Sequence, residues 1–230
     1  MIKVAIITIT YNSSNVIIPF LKCLSESSFK DFKLFIIDNN SVDETLEIIC
    51  KIKKIDVQVI ENKKNIGVAA ANNMGIKLAL EQGYQKVLLS NNDIVFDKNI
   101  IADLVNFSEN QSSSISSLKI MYEHDKDKIW YCGGFFNFTK GLVPEHLAIG
   151  QPDFGQYNHL KHSDYAPTCF VLFDCKVFSE IGFMDEAYFV YFDDTDFFYR
   201  VKKNGNHKLL INQKIKIFHK VGSLTSTSDA

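Results

Sequence analysis

The sequence predicts an α/β fold with a mostly parallel central sheet that is flanked by helices. Four short runs of apolar, often β-branched residues occur in the first hundred positions, and segments with helical spacing separate them. Continuous apolar strands that alternate with helices are typical of β-α-β units, whose parallel sheets are buried on both faces. The predicted strands cover residues 4–9, 32–37, 57–60 and 87–89.

Three helices are predicted between these strands, and each has a favourable capping residue. The second half is less regular, and residues 141–166 form a long polar segment of the kind that often carries a binding function. The first helix follows Ser13 or Asn15, the second begins near Asp43, and the third covers residues 67–82 before Gly83. In the second half, helices are predicted over residues 97–107 and 197–203, and strands over residues 115–121, 129–136, 165–174, 208–211 and 215–218.

The composition of the 230-residue chain narrows the classes of protein to which it can belong. At 46% hydrophobic and 23% charged residues it falls in the globular range, and a net charge of −2 gives no excess of cations for a nucleic-acid backbone. The five cysteines include no C-x-x-C pair, which argues against structural zinc and a disulfide framework and favours a reducing cytoplasm. The apolar N-terminal run is too short for a signal peptide, and no stretch approaches the roughly 20 apolar residues that span a bilayer.

A polar cluster follows each of the first four predicted strands. The carboxyl ends of parallel strands meet at one edge of the sheet, and ligands of such sheets bind beyond that edge. We therefore expect all four clusters to open onto one binding crevice. The clusters are Thr10-Tyr11-Asn12, Asp38-Asn39-Asn40-Ser41, residues 62–65 and Asn91-Asn92-Asp93.

The residue types at these strand ends favour a phosphorylated ligand with a divalent cation. Asp93 suits Mg²⁺ or Mn²⁺, which commonly bind one or two carboxylates together with substrate phosphates, although a turn or an Asx cap also explains it. Asn65 and Asn73 flank a helix start, which attracts phosphate, and Gly67 allows either close backbone approach or tight helix–sheet packing. Asp38 stands at a strand end, where helix capping does not account for it.

A second acidic cluster lies near residue 193. Asp193 and Asp194 adjoin a run of aromatic residues, and burial beside aromatic side chains raises a carboxylate pKa toward that of a general base. Asp196 and Arg200 have the i, i+4 spacing of an ion pair on a helix. His219 follows a predicted strand; a lone histidine is more often structural than a ligand, so the residues alone leave both roles open.

Short motifs in a fixed order connect these clusters from the first predicted strand to residue 223. Each motif is weak alone, but their order and spacing together are specific. The sequence contains neither G-x-G-x-x-G nor G-x-x-x-x-G-K-[ST], which argues against dinucleotide and P-loop sites. The motifs are Thr10-Tyr11-Asn12, Asp38-Asn39-Asn40-Ser41 with Asp43, Asn65-x-Gly67 through Asn73-x-Gly75, Asn91-Asn92-Asp93, Cys132-Gly133-Gly134, Gly182-Phe183-Met184-Asp185-Glu186, Asp193-Asp194-x-Asp196 with Arg200, and His219-x-x-Gly222-Ser223.

With these motifs the chain resembles the family 2 glycosyltransferases of the GT-A fold, and within them a rhamnosyltransferase-like group. The resemblance implies a Rossmann-like sheet with a smaller mixed subregion on the acceptor side, residues 1–96 binding the nucleotide sugar and residues 97–230 binding the acceptor and supplying the base within one domain. It implies inverting transfer from a dTDP- or UDP-sugar to an acceptor hydroxyl, with Mn²⁺ or Mg²⁺. The implied acceptor is a glycan or lipid-linked glycan of the cell surface, with peripheral contact at the inner face of the membrane.

The resemblance also implies a role for each matching residue. Asp93 matches the family's metal-binding aspartate, and His219 matches a position that helps to hold the metal or the pyrophosphate. Asp194, or its neighbour Asp193, matches the general base. The implied nucleotide-sugar-binding residues are Thr10, Tyr11, Asn12, Asp38, Asn40, Ser41, Asn65, Gly67, Asn73, Asn91 and Asn92.

The sequence departs from the family pattern at three places. Asn91 replaces the first acid of the D-x-D element, the usual Glu-Asp pair reads Asp193-Asp194, and residues 167–170 replace a glycine-containing acceptor segment. Asp93 is then expected to hold the metal without a second acid, and the family's acceptor preference does not carry over. Many members are longer, so a shortened or minimal catalytic domain is expected.

Two other functions remain open from the sequence. A sugar nucleotidyltransferase would share the sheet, but it would usually have a glycine-rich loop with Arg and Lys where Thr10-Tyr11-Asn12-Ser13 stands. A non-catalytic carbohydrate-binding protein could keep the fold, although the retention of Asp93, Asp193 and Asp194 argues against it. Pyrophosphate release from a nucleoside triphosphate would indicate the first, and donor binding without turnover would indicate the second.

Overall fold

Ten strands form one sheet in the computed structural model, which describes residues 2–159 and 161–222, and two further strands within those residues form a hairpin. The order in the large sheet is β10-β12-β6-β11-β4-β1-β2-β3, with β5 paired to β12 and β7 to β6. The hairpin pairs β8 with β9. The strands are β1 (Val4–Thr10), β2 (Phe32–Asp38), β3 (Val57–Glu61), β4 (Lys86–Ser90), β5 (Ile94–Val95), β6 (Ile115–Tyr122), β7 (Ile129–Tyr131), β8 (Gly134–Asn137), β9 (Val143–His146), β10 (His162–Ser163), β11 (Phe170–Asp174) and β12 (Leu209–His219).

The first four strands form one parallel array in the sheet, as the sequence predicts. β1 lies between β2 and β4, and β3 flanks β2, all in parallel. The register pairs Thr10 with Asp38, and Asp38 in turn with Glu61. The carboxyl ends of these strands therefore meet at one edge, which confirms the expected position of the polar clusters.

Six α-helices and one short 3₁₀-helix accompany the strands in the described residues. The third helix lies so close to β1 that a Cβ on Gly75 would stand 2.5 Å from Cγ2 of Ile7. Tight helix–sheet packing therefore accounts for Gly75 without a ligand. The helices are α1 (Ile17–Glu26), α2 (Thr45–Cys50), α3 (Val68–Glu81), α4 (Ile100–Asn110), α5 (Lys176–Ile181) and α6 (Asp193–Asn204), and the 3₁₀-helix is Phe138–Lys140.

Strand β11 connects the two halves of the large sheet. It runs antiparallel to β4 on one side and to β6 on the other. Beyond β6, β12 runs parallel to it, with a register shift between Asn212 and Lys216. Segments before and after residue 96 thus contribute neighbouring strands to one sheet.

An aromatic cluster fixes the helix that carries the acidic pair. Phe197 and Phe198 of α6 are fully buried, and their ring centroids lie 5.8 and 6.1 Å from that of Phe173 in β11. The ring centroid of Phe178 in α5 lies 5.2 Å from that of Phe173 and 5.8 Å from that of Phe197. Full burial of each such side chain contributes about 1.5–3 kcal/mol, so the first turn of α6 is held firmly against the sheet.

The middle of the chain differs from the predicted elements at two points. The strand predicted over residues 129–136 breaks into β7 and β8, because Gly133 has a φ of 131°, which a strand does not adopt. The loop predicted over residues 141–166 contains β9 and β10. Gly141, in a left-handed conformation, ends the 3₁₀-helix that joins β8 to β9, and this turn was not recognised from the sequence.

The last third of the chain differs as well. The strand predicted over residues 165–174 begins only at Phe170. Helix α6 begins earlier than predicted, at Asp193, because acidic side chains in a first turn are stabilised by the helix dipole. The two strands predicted over residues 208–211 and 215–218 are one strand, β12, with an irregularity between them. The short elements α5 and β5 were not predicted.

The described residues bear on two further expectations. No helix within them is long and apolar enough to cross a bilayer. Ser223, the last residue of the matching motifs, lies outside them, as does the small polar tail that follows it.

Candidate active site

Asp38 is the centre of the polar cluster at the ends of β1 and β2. Its side chain is 1% exposed, and its Oδ1 accepts hydrogen bonds from the hydroxyls of Thr10 at 2.7 Å and Ser41 at 2.6 Å. Its Oδ2 accepts the backbone amide of Ser41 at 2.8 Å. The structure thus brings three of the predicted residues together and holds the carboxylate in one orientation.

Two asparagines in left-handed conformations shape the loops around Asp38. Asn12 has a φ of 49° and Asn40 a φ of 67°, a region that asparagine tolerates better than most residues. The Asn12 amide donates to the Ser41 hydroxyl at 2.9 Å, which ties the two loops together. Tyr11 is 47% exposed beside them, so its ring is accessible to a ligand.

Asn39, which was not among the predicted binding residues, joins the second and third strand ends. Its side-chain amide donates to Oδ1 of Asn65 at 3.1 Å and to the carbonyl of Gly67 at 3.2 Å. Its Oδ1 accepts from the Asn62 amide at 2.9 Å. Asn39 therefore fixes the loop that leads into α3, and consecutive asparagines after a strand are the one sequence signal for it.

Gly67 lies where another segment of the chain crosses the start of α3. The amide of Val68 donates to the carbonyl of Phe189 at 2.7 Å. A Cβ on Gly67 would stand 2.6 Å from that carbonyl oxygen, and the φ of 85° at Gly67 disfavours any side chain. The close approach predicted at Gly67 is thus made by the backbone of residues 188–192, called the aromatic segment below.

Asn73 is buried and holds the loop that precedes the aromatic segment. Its Nδ2 donates to the Met184 carbonyl at 2.8 Å and to the Glu186 carboxylate at 3.0 Å. Its Oδ1 accepts the Met184 amide at 3.0 Å. These bonds tie α3 to the loop before α6, and a direct contact between Asn73 and a donor stays a prediction.

The end of β4 is braced by the two asparagines of its motif. Asn92 is fully buried, and its amide donates to the Ile9 carbonyl at 2.8 Å and to the Ser13 hydroxyl at 3.0 Å. The backbone amide of Asn91 donates to the Cys169 carbonyl at 2.9 Å. These bonds connect β4 to β1 on one side and to the segment before β11 on the other, and so fix the position of the next residue, Asp93.

Asp93 lies beside His219, as the proposed metal site requires. Nε2 of His219 lies 3.2 Å from Oδ1 of Asp93, and both side chains are buried. Nδ1 of His219 is buried and has no hydrogen-bond partner among the residues that the structure describes. The Trp130 ring contacts the His219 ring edge to face, with centroids 4.7 Å apart.

This pair fits a divalent ion whose remaining ligands come from a substrate. Two adjacent ligands of an octahedral Mg²⁺-like ion, each about 2.1 Å from it, lie roughly 3 Å apart. The separation of 3.2 Å between Asp93 and His219 is close to that span. Within residues 2–159 and 161–222, no group of three or more His, Cys, Asp or Glu side chains is placed to bind a metal.

Asp193 and Asp194 stand at the start of α6 in different environments. Oδ2 of Asp194 accepts the Tyr165 hydroxyl at 2.8 Å, and its Oδ1 accepts the Thr195 amide at 2.7 Å. Burial raises the pKa of Asp194, whereas these hydrogen bonds lower it. Asp193 is buried, and its Oδ2 has no hydrogen-bond partner in the described part of the chain. Burial and the neighbouring charge of Asp194 raise the pKa of Asp193 to about 7.

Cys169 marks the place where the strand-end cluster and the acidic pair meet. Burial raises the pKa of its thiol well above the ordinary value, and the charges of Asp93 and Asp194 raise it further. The segment before β11 lies between the two predicted groups, because the Cys169 carbonyl accepts the Asn91 amide and the Tyr165 hydroxyl donates to Asp194. Asp196 forms an ion pair with Arg200, whose Nε donates to its Oδ2 at 2.8 Å. This contact confirms the predicted pair.

Two aromatic residues of the site were not predicted. Trp130 contacts His219, and the Tyr165 hydroxyl donates to Asp194. Both lie in segments that read as strands, so their residue type indicates only β-structure. Trp130 is the chain's one tryptophan, and that rarity is the sequence signal for it.

A comparison with known protein families identifies the family of this chain. The sequence model described as "Glycosyl transferase family 2" matches residues 5–182, which is more than half of the chain. The chain belongs to glycosyl transferase family 2. The matched span includes the strand-end clusters with Asp38 and Asp93 and stops before Asp194 and His219, whose assignment therefore depends on the geometry above.

Two relatives illustrate the family membership. The chain is 27% identical over 173 residues to the low-salt glycan biosynthesis hexosyltransferase Agl10 of Haloferax volcanii, with 74% of this chain and 53% of the relative covered. It is 26% identical over 224 residues to the dTDP-rhamnosyl transferase RfbF of Shigella flexneri, with 94% and 68% covered. The chain thus spans only about half to two thirds of the length of these relatives.

A solved structure confirms the fold of this family 2 glycosyltransferase. The mannosyltransferase PcManGT of Pyrobaculum calidifontis, determined with GDP-Man and Mn²⁺, matches with a TM-score of 0.71 and 14% identity. The match covers 97% of this chain and 58% of that one. The fold is GT-A, as the resemblance implied, with its central sheet and accompanying helices.

Proposed function

We propose that this family 2 glycosyltransferase moves a sugar from a nucleotide-diphosphate donor to an acceptor hydroxyl and inverts the anomeric configuration. The observation that carries the proposal is the segment before β11, whose Cys169 carbonyl accepts the Asn91 amide beside the Asp93 loop and whose Tyr165 hydroxyl donates to Asp194. A displacement at one carbon needs a cation near the leaving diphosphate and a base near the attacking hydroxyl. The name of one relative, a dTDP-rhamnosyl transferase, favours a dTDP-sugar as the donor, and the family resemblance adds a UDP-sugar as the other candidate.

The cluster around Asp38 is proposed to bind the nucleoside. A carboxylate offers about four lone-pair sites, and the hydroxyls of Thr10 and Ser41 with the Ser41 amide use three of them. The remaining site suits a ribose hydroxyl, because Asp38 is already held in place. The exposed ring of Tyr11 offers a face for the base.

Asp93 and His219 are the residues that would hold Mn²⁺ or Mg²⁺ together with diphosphate oxygens. A bound ion of this kind offsets the charge that develops on the leaving diphosphate. Asn92 and Asn91 tie the end of β4 to its neighbours and so hold Asp93 in place for this role.

Asp194 is proposed as the general base. It takes the proton of the acceptor hydroxyl while the acceptor oxygen bonds to the anomeric carbon and the bond to the diphosphate breaks. A general base of this kind contributes about 10²- to 10⁴-fold in rate. Asp193 is the alternative base, but with a pKa of about 7 it is largely protonated below neutral pH.

The second half of the chain is proposed to form the acceptor side. Residues 97–230 include α6 and the β8–β9 hairpin, whereas residues 1–96 supply the nucleotide cluster. Because the named relatives include a glycan biosynthesis enzyme, the proposed acceptor is a cell-surface glycan or its lipid-linked precursor. A lipid-linked acceptor would bring the enzyme to the inner membrane face, where a cytoplasmic protein meets it.

A donor screen tests the proposal. Melting temperature is measured with UDP-, dTDP- and GDP-sugars, each with and without Mn²⁺, and every stabilising donor is then assayed for transfer to an acceptor glycan. We expect one nucleotide class to raise the melting temperature only with Mn²⁺ and to support transfer. If no nucleotide sugar stabilises the protein, the proposal is wrong.

The two alternatives give different results in the same screen. A nucleotidyltransferase would release pyrophosphate from a nucleoside triphosphate and a sugar phosphate. A carbohydrate-binding protein would be stabilised by glycan but would not turn over any donor. We expect neither outcome, because the proposal assigns Asp93 to the metal and Asp194 to the base.

A further inference from the structure

The Cys132-Gly133-Gly134 motif has no part in the proposed mechanism. Gly134 nevertheless packs against Tyr165, which in turn contacts the acidic pair. A Cβ on Gly134 would stand 3.0 Å from Cδ1 of Tyr165 and 3.2 Å from the carbonyl oxygen of Glu145. Both separations are too short for a comfortable side-chain contact. Glycine at this position therefore allows Tyr165 to pack directly against β8.

The backbone of Tyr165 is fixed from several sides. Its carbonyl oxygen accepts the hydroxyl of Tyr131 at 2.6 Å and that of Ser163 at 2.7 Å. Its amide donates to the Gly134 carbonyl at 3.3 Å, and its ring packs on Phe198 with centroids 6.0 Å apart. The residue is 5% exposed, so the ring has little freedom to turn.

The Tyr165 hydroxyl interacts differently with Asp193 and Asp194. It donates to Oδ2 of Asp194 at 2.8 Å. Asp194 also accepts the backbone amide of Thr195, at 2.7 Å from Oδ1, and a backbone hydrogen bond from Thr168. Asp193, by contrast, has a buried Oδ2 with no hydrogen-bond partner among the described residues. Hydrogen bonds to a carboxylate favour its charged form. Backbone amides at the start of α6 lower the pKa of Asp193 as well, but burial and the charge of Asp194 outweigh them and favour its neutral form.

We propose that Tyr165 is the positioning residue that makes Asp194, rather than Asp193, the ionised member of the acidic pair. The catalytic meaning of this inference depends on the proposed function, in which the ionised member is the base. Tyr165 acts through Asp194 and is not itself assigned a contact with substrate. The glycine motif is then required because it gives Tyr165 its place beside α6.

The charges around Asp194 agree with this assignment. Burial and the charge of Asp194 raise the pKa of the Tyr165 hydroxyl well above its usual value, so Tyr165 remains a donor. The Cys169 thiol stays neutral for the same reasons. Burial lowers the pKa of His146, whose ring packs on that of Tyr165, so it adds no positive charge near neutral pH. Asp93 also acts on the Cys169 thiol, and the charge of Asp194 raises the pKa of its neighbour Asp193, so Asp193 and Asp194 compete for one proton.

Carboxyl NMR tests the inference without any substrate. The protein is labelled with ¹³C at the aspartate carboxyl carbons, and the two signals are assigned from Asp193→Asn and Asp194→Asn. In the wild type we expect Asp194 to lose its proton at lower pH than Asp193. In Tyr165→Phe the midpoint of Asp194 should rise by about one to two pH units, the loss expected for a hydrogen bond to a charged group.

The pH profile of transfer supplies a second readout. In Tyr165→Phe the acid limb of kcat/KM should move up by the same amount, with activity recovering at high pH, because the base must be deprotonated to act. The matched control is Tyr131→Phe, which also removes one buried hydroxyl but leaves the Tyr165 carbonyl bonded to Ser163. The control should lose a similar amount of stability and keep the acid limb of the wild type.

The outcomes separate this inference from the proposed function. If Asp193 titrates below Asp194 in the wild type, or if Tyr165→Phe leaves the Asp194 midpoint in place, the inference is overturned. The first comparison needs only the wild-type titration, so it decides the matter even if Tyr165→Phe does not fold. If the titrations behave as expected while no donor is turned over, the carboxylate assignment stands and the proposed function fails.

Discussion

Nε2 of His219 lies 3.2 Å from Oδ1 of Asp93, although the two residues are 126 positions apart in the sequence. The carboxylate stands just beyond β4, and the imidazole ends β12. β5 brings these elements together, because its Ile94 pairs with His219 in an antiparallel ladder. The pairing explains how a residue outside the matched family span comes to stand beside the predicted metal acid.

The tryptophan next to His219 makes metal binding directly observable. Trp130 is the chain's one tryptophan, and its ring centroid lies 4.7 Å from that of His219. Mn²⁺ is paramagnetic and quenches nearby indole fluorescence, so Mn²⁺ with a nucleoside diphosphate should quench Trp130. The measurement is a fluorescence titration with Mn²⁺, repeated with Mg²⁺, which should compete for the site without quenching.

Two variants locate the quenching ion. Asp93→Ala should weaken Mn²⁺ binding at least about tenfold, since loss of a partner in a metal site commonly costs 10- to 100-fold in affinity. Asp103→Asn is the matched control, because Asp103 is exposed on α4. Equal quenching in the wild type and in Asp93→Ala would place the ion elsewhere.

Asp38→Asn should destabilise the protein and weaken nucleotide binding. The carboxylate accepts from the hydroxyls of Thr10 and Ser41 and from the Ser41 amide, so an Asn amide group would face a donor. A buried donor left without an acceptor costs about 1–3 kcal/mol. Urea unfolding should show this loss for Asp38→Asn, whereas Asp103→Asn should lose only the helix-dipole contribution of an exposed first-turn acid, about 0.3–1 kcal/mol, and should bind nucleotide as the wild type does.

Gly67→Ala and Gly83→Ala form a matched pair. Both glycines have positive φ, 85° and 75°, but a Cβ on Gly67 would meet the Phe189 carbonyl at 2.6 Å while one on Gly83 would have no atom within 4 Å. Gly83→Ala should cost only the left-handed backbone strain, about 1–2 kcal/mol. Gly67→Ala should cost more and should expose the Val68 amide to hydrogen exchange. Equal losses in urea unfolding would show that the aromatic segment exerts no constraint at Gly67.

Asp193→Asn should change how stability depends on pH. The pKa of Asp193 is about 7 in the folded protein against 3.8 as its ordinary value, so the folded state holds the extra proton between these values. The contribution of this group is therefore full below about pH 4 and is lost as the pH rises to about 7. Asp193→Asn avoids that loss, so its melting temperature should gain on the wild type between pH 4 and about 7 and then stay level. A difference that is constant with pH would contradict the buried position of Asp193.

The strand-end clusters were predictable because parallel-sheet geometry translates sequence order into position. In the sequence, polar residues mark the end of each apolar strand. β1 to β4 lie side by side in one parallel array. Asp38 and Asp93 could therefore be placed at one edge from local patterns alone. The contact between Asp196 and Arg200 was predictable for a similar reason, since it depends on helical spacing within α6.

The partners of the acidic pair were not predictable from local patterns. Tyr165 reaches Asp194 because Gly134 admits its ring and because β11 and α6 are packed together, and these contacts join residues far apart in sequence. The turn at Gly133 was hidden inside an apolar run that read as a single strand. The crossing of α3 by the aromatic segment likewise depends on Phe189, which sequence spacing did not connect to Gly67.

The central claim is that Asp93 serves metal-linked donor binding while Asp194 serves the chemical step. Isothermal titration with the nucleotide sugar found in the screen, with and without Mn²⁺, is run on the wild type, Asp93→Ala and Asp194→Asn, beside a transfer assay. We predict that Asp194→Asn binds the donor with Mn²⁺ as the wild type does but transfers about 10²- to 10⁴-fold more slowly. Asp93→Ala should lose the Mn²⁺ dependence of binding. Transfer at the wild-type rate in both variants would contradict the account.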